Sequence, residues 1–160
     1  VNEPPPAELL RRLRPIPTYR DHPATSPHDV AGVDPADPTG APVRIEILGA
    51  PDPVLLLFLS VDCLGCLDLW QGLDEVRGLL PAGVGLVVVT RDPGSEDPRV
   101  VAELGRSESG VPLVMSSVAF TDYRVAGPPF LVVVDGQRVR TEGVAWGIEE
   151  TTRATLAALA

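Results

Sequence analysis

Lysine is missing altogether: all 13 basic residues of this 160-residue chain are arginine, they face 22 Asp and Glu, and the net charge at pH 7 is −9. A surface of that sign repels a phosphate backbone, which argues against nucleic acid as a partner. Aromatic residues are also scarce, at 4%, so the chain lacks an interleaved ring platform on which bases could stack. Long apolar runs are absent too. The longest, Val54 to Leu59 and Val84 to Val89, stop well short of the about 18 residues that a membrane helix needs. Histidine is limited to His22 and His28, both in a proline-rich stretch. They read as solvated linker residues, and no metal site or organic cofactor is expected. The first residue is Val1 rather than Met, and no apolar signal core follows it. A leader or anchor removed ahead of Val1, or simple trimming, accounts for that start, and membrane contact is expected only through such an anchor.

Ten of the 18 prolines fall in the first 42 residues. Each removes an amide donor and fixes φ, so residues 1–42 read as an irregular tether, with two helical turns at most over Ala7 to Arg14. From Val43 the texture changes. Strand and helix signals alternate over residues 43–160, the pattern of one α/β domain with a central mixed sheet flanked by helices. Strands are expected at Val43 to Leu48, Val54 to Val61, Gly85 to Thr90 and Pro112 to Met115. A hairpin is expected from Phe130 to Val144, turning at Asp135-Gly136. Apolar residues from Cys63 to Leu80 recur at helical spacing. Further helices are expected at Glu96 to Arg106 and Ile148 to Leu159, with a helix or turn at Ser117 to Arg124. Trp70 and Trp146 read as core packing.

Both cysteines sit in Cys63-Leu64-Gly65-Cys66, where a buried strand gives way to a helix. A three-residue step lets two sulfurs meet across one helical turn. At the helix start the first sulfur faces unpaired backbone N–H groups, which favour thiolate over thiol, while the second is shielded inside the turn. Cys63 is thus the attacking sulfur and Cys66 the resolving one in exchange through a mixed disulfide.

Strand, C-x-x-C at a helix start, strand, helix, then Gly127-Pro128-Pro129-Phe130 leading into the Asp135-Gly136 hairpin and a last helix resembles the thioredoxin fold over roughly Val43 to Ala160. Phe58-Leu59-Ser60, Thr90-Arg91-Asp92-Pro93 and the proline directly before Phe130 are similar to the extracytoplasmic TlpA-like and MauD-like branch. Its members are commonly tethered outside the membrane and act as thiol–disulfide oxidoreductases. The resemblance implies a cysteine-containing protein substrate, a redox partner and an extracytoplasmic, envelope-anchored or secreted location. It implies also a cis-proline against the cysteine pair, Pro129 being the better match and Pro128 the second. Gly127, Pro128 and Pro129 would then align the substrate chain. Two positions depart from the family. Asp62 stands where a tryptophan often precedes the first cysteine, and Leu57 stands where cytosolic members carry a buried acid. With no His or Lys inside the motif and the Asp62 charge beside it, Cys63 is expected to be less acidic than in strongly oxidising members, making the pair a reductant or mild exchanger.

Two other readings stand beside this one. In the first, the fold is a redox-inert protein-binding module and the disulfide is structural. In the second, Ser60-Val61-Asp62-Cys63 serves as the S/T-x-x-C of a thiol peroxidase, with Arg124 approaching from the preceding short helix; a solvent-facing Arg124 is the plainer expectation.

Overall fold

A computed structural model describes residues 25–160. The helical turns expected at Ala7 to Arg14, and His22, lie outside the described residues. Strand β3 (Val54–Phe58) organises the rest, because all five of its side chains are buried. Such a run is stable only where both sheet faces are covered. It pairs in parallel with β4 (Gly85–Thr90) on one side and antiparallel with β6 (Phe130–Asp135) on the other. β5 (Leu113–Met115) continues the sheet in parallel beside β4, and β7 (Arg138–Val144) closes the hairpin on β6. Gly136, at φ 64°, makes the tight turn where a side chain would be strained.

The sheet has seven strands in the order β2-β1-β5-β4-β3-β6-β7. Alternate residues of β3 face two separate cores. Leu55 and Leu57 join Leu69, Trp70, Leu73, Val76, Leu131 and Val133 on one face, and Leu56 and Phe58 join Val132, Phe120 and Tyr123 on the other. The first face is covered by α1 (Leu67–Gln71), α2 (Leu73–Leu79), α3 (Pro98–Leu104) and α5 (Gly147–Leu159), and the second by α4 (Ser117–Asp122). The single helix expected from Cys63 to Leu80 is broken. A one-turn 3-10 segment, Leu64–Cys66, precedes α1, and Gly72 separates α1 from α2. Close packing holds that break in place: a Cβ on Gly72 would lie 2.2 Å from Ile148 Cδ1. Only glycine lets α5 approach so closely. Helix α3 starts later than periodicity suggests, because Asp97 accepts from the Arg99 N–H as N-cap and Pro98 takes the first helical position.

The sheet also takes in part of the stretch expected to be a tether. β1 (Val30–Val33) pairs antiparallel with β2 (Pro42–Ile45) and with β5. No proline falls between Pro27 and Pro35, so those four residues keep the amide donors that a strand needs. Nor is His28 a solvated linker residue. Its N–H donates to the Tyr123 hydroxyl at 2.8 Å, that hydroxyl donates back to the His28 carbonyl, and the two rings meet edge to face at 5.8 Å. Burial pushes the Tyr123 phenol up to about 12. Thr25 anchors the segment further by donating to Glu142 Oε2 at 2.9 Å.

Asp29 ties this segment to the chain after β2. Its Oδ1 accepts from the backbone N–H of Ile47 at 2.7 Å and of Leu48 at 2.9 Å, and its Oδ2 accepts from Arg44 Nη2 at 2.8 Å. The Leu48 N–H, the Arg44 guanidinium and the Ile47 N–H hold its carboxyl down at about 2. An unfolded Asp titrates near pH 3.9, so the ionised form favours the native state above that pH, and the contribution is lost as pH falls toward 2. Asp29→Asn should therefore lower Tm at pH 6, with a difference from wild type that shrinks steadily between pH 4 and 2. A gap independent of pH would contradict this, and thermal unfolding followed by circular dichroism across that range measures it.

Candidate active site

β3 ends at Phe58, and the chain then reaches the cysteines through Leu59 to Asp62. Leu59 keeps the strand direction by donating its N–H to the Val89 carbonyl at 2.9 Å. The next two residues are held by Glu96, whose side chain is 7% exposed. Glu96 Oε1 accepts from Ser60 Oγ at 2.7 Å and from the Val61 N–H at 2.9 Å, and Oε2 accepts from the Arg91 N–H at 2.9 Å. One carboxyl group thereby satisfies donors at the ends of two neighbouring strands, β3 and β4. Trp70 Nε1 donates to the Ser60 carbonyl at 2.9 Å from the helix face behind. Trp70 is buried as expected, and its polar edge also fixes the loop. Trp146 departs from expectation: it is 42% exposed, because β7 has ended and α5 begins at Gly147.

Cys63 and Cys66 are joined as a disulfide, with Cα atoms 5.2 Å apart. Cys63 is half-buried and Cys66 fully buried, so only the first sulfur is open to attack. Cys63 has extended backbone angles at the N-cap of the 3-10 turn and accepts the Cys66 N–H on its carbonyl at 3.1 Å. The helix behind it is short. A turn of three residues and the five residues of α1 align few peptide dipoles, so the field favouring a thiolate is weaker than that of a long helix. Asp62 is exposed beside it.

Between the two cysteines Leu64 is 93% exposed, while Gly65 faces the proline loop. A Cβ on Gly65 would sit 3.5 Å from Pro129 Cδ and 4.0 Å from Cys63 Sγ. The Pro129 ring thus lies against the C-x-x-C turn. The Pro128–Pro129 peptide bond is cis, and the Pro129 carbonyl accepts from the Ala145 N–H at 3.1 Å. Gly127, Pro128 and Pro129 are all partly exposed. Registers place these parts on one edge: Phe58 pairs with both Val89 and Phe130, so the chain around Cys63, Arg91 and Pro129 leaves the sheet at the same end. Ligands of parallel sheets sit at that carboxyl end of the strands.

The arrangement disfavours peroxidatic chemistry through Ser60. Its hydroxyl proton is committed to Glu96 Oε1, and its oxygen accepts from the Asp62 N–H at 3.3 Å. Arg124 is exposed, as expected. Glu96 stands at the start of the helix expected over Glu96 to Arg106, where an acid is an ordinary first-turn residue and carries no signal of burial; its burial follows from where two strand ends meet.

No protein-family profile matches the chain, and no curated protein matches it in sequence. Solved structures do. The thioredoxin domain of a thiol-disulfide oxidoreductase from Bacteroides vulgatus superposes with TM-score 0.63 at 15% identity, covering 84% of this chain and 96% of that one. A thiol:disulfide interchange protein DsbE from Chlorobium tepidum gives 0.59 at 19% identity, with 85% and 96% covered. An exposed lipoprotein thioredoxin from Streptococcus pneumoniae gives 0.58 at 15% identity, with 81% and 98% covered. The fold is thioredoxin-like, a mixed sheet with flanking helices and a C-x-x-C pair just past the carboxyl end of β3.

Removing the Glu96 carboxyl would strand two backbone N–H groups and the Ser60 hydroxyl in a buried place. Glu96→Ala should cost about 2–4 kcal/mol of stability. Glu96→Gln, which keeps one acceptor oxygen, should cost less. Urea unfolding of the three proteins checks the order, and equal midpoints would refute the assignment.

Proposed function

We propose that this protein is a thiol–disulfide oxidoreductase that exchanges electrons with cysteines of partner proteins. The observation carrying the reading is the asymmetry of the pair: a half-buried Cys63 sulfur joined to a fully buried Cys66, with Pro129 packed beside the turn. In the reduced form the Cys63 thiolate attacks one sulfur of a partner disulfide. A bond forms from Cys63 Sγ to that sulfur, the partner bond breaks, and its other sulfur leaves as a thiolate that takes up a proton. Cys66 then gives up its proton and attacks Cys63 Sγ, expelling the partner's second thiol. Two electrons and two protons pass to the partner, and the Cys63–Cys66 bond is made. A second dithiol protein must reduce that bond again, and with the opposite poise the same steps run in reverse.

Gly127, Pro128 and Pro129 align the partner chain in this scheme. No hydrogen bond to the Gly127 N–H or the Pro128 carbonyl occurs among the described residues, which leaves both for a strand laid beside the cysteines. The finer likeness to the TlpA-like and MauD-like branch, and an extracytoplasmic site of action, draw support from neighbours described as an exposed lipoprotein thioredoxin and a DsbE. None of the helices among the described residues is long and apolar enough to cross a membrane.

Insulin reduction driven by dithiothreitol tests the reading. Wild type should turn over, Cys63→Ser should lose all activity above background, and Cys66→Ser should stall as a mixed disulfide visible by mass spectrometry. Absence of wild-type turnover would favour the redox-inert binding module. The Cys63 thiol, with Asp62 beside it and a short helix behind it, should be less acidic than a cysteine at the start of a long helix with no neighbouring acid. Ultraviolet thiolate absorbance measures this, and a midpoint near pH 4 would contradict it.

A further inference from the structure

On the edge of the sheet that carries the cysteines, a second feature has no role in the exchange steps. A pocket of about 400 Å³ opens between the exit of β4 and the end of α4, with the guanidinium-bearing residues Arg91 and Arg124 in its lining. The chain has 22 acidic residues to neutralise 13 arginines, yet neither of these two has a carboxylate within ion-pair distance among the described residues. Arg91 instead lies over the Phe120 ring, 4.5 Å from its centroid. Stacking of this kind leaves the in-plane N–H groups free for a planar anion.

Arg124 occupies a place that costs the fold something. Its N–H donates to the Thr121 carbonyl at 3.1 Å and the Val125 N–H donates to the Phe120 carbonyl at 2.8 Å, the paired bonds that end a helix on a left-handed residue. Glycine is the usual occupant there. Here it is Arg124, at φ 53°, the only non-glycine residue with positive φ among the described residues. A side chain kept in a strained backbone region is a signal of use, and strain of this type concentrates at binding sites. Val125 and Ala126, also in the pocket lining, run directly into Gly127, Pro128 and Pro129.

We propose that Arg91 and Arg124 form a subsite for a carboxylate of the substrate polypeptide, an Asp or Glu flanking its reactive cysteine. The inference rests on the exchange reading above. A chain of net charge −9 repels acidic partners at long range, so this pocket gives local selectivity: two forked donors hold the carboxylate.

The test uses two short peptides, each a disulfide-linked homodimer, identical except that one carries Glu and the other Gln beside the cysteine. Reduction by the wild-type dithiol should favour the Glu peptide in kcat/KM by about tenfold, a size reached by two charge-assisted contacts in partial solvent. In Arg91→Gln and Arg124→Gln the ratio should fall to within about twofold of unity. Arg124→Gly should lose the same preference while raising Tm by a few degrees, since it relieves the left-handed strain. A wild-type ratio near one, or a ratio that survives in the arginine variants, overturns the subsite. If wild type reduces neither peptide, the exchange reading fails by itself. Fluorescence titration with the Cys→Ser form of the Glu peptide then still decides the subsite: binding weakened in the arginine variants supports it, and equal or absent binding to wild type refutes it.

Discussion

The hydrogen bonds of one buried carboxyl group set the geometry of the cysteine pair. Glu96 accepts from Ser60, Val61 and Arg91, and so closes the ends of β3 and β4 at the point where the chain turns out toward Cys63. Strand ends normally meet water, which satisfies their free N–H groups. Here the buried Glu96 side chain takes the place of water. With that carboxyl in position, Ser60 and Val61 are fixed, and the C-x-x-C turn begins from a rigid base. Rigid support of this kind gives an exchange site a reproducible sulfur position without stiffening the exposed turn itself.

The second constraint is close packing around Gly72, which admits Ile148. It lets α5 lie on the joint between α1 and α2, which shortens the helix behind Cys63. At Gly65 a Cβ would meet the Pro129 ring at an ordinary contact distance, 3.5 Å, so the proline loop lies within van der Waals reach of the turn. Reactivity at Cys63 then depends less on a helix dipole than on exposure, with Cys66 enclosed and Asp62 opposing negative charge nearby. A pair so arranged suits mild exchange more than strong oxidation.

Much of this was legible in the sequence. The continuous apolar run of β3, the Asp135-Gly136 turn and the C-x-x-C at a strand-to-helix passage each carry a local signal, and together they point to a thioredoxin-like fold. Other features were hidden for physical reasons. β1 lies among prolines and has only four residues, and its strand character comes from pairing with β2 and β5. The break at Gly72 depends on Ile148, 76 positions away in sequence. Glu96 reads as an ordinary first-turn acid of an expected helix and His28 as a solvated linker residue, because burial of a polar residue is decided by which distant groups fold against it. Arg124 showed a charge in the sequence, and only the backbone angle revealed that the charge is held at a cost.

The reduction potential of the Cys63–Cys66 couple tests the central claim most directly. Equilibrating the folded protein in graded thiol–disulfide buffers, then alkylating and weighing the products, gives its value. An exchange-active pair should lie between about −270 and −180 mV, within the range of thioredoxins, glutaredoxins and isomerases. A potential below about −300 mV, the region of structural disulfides, would make the bond a staple and would contradict a redox role.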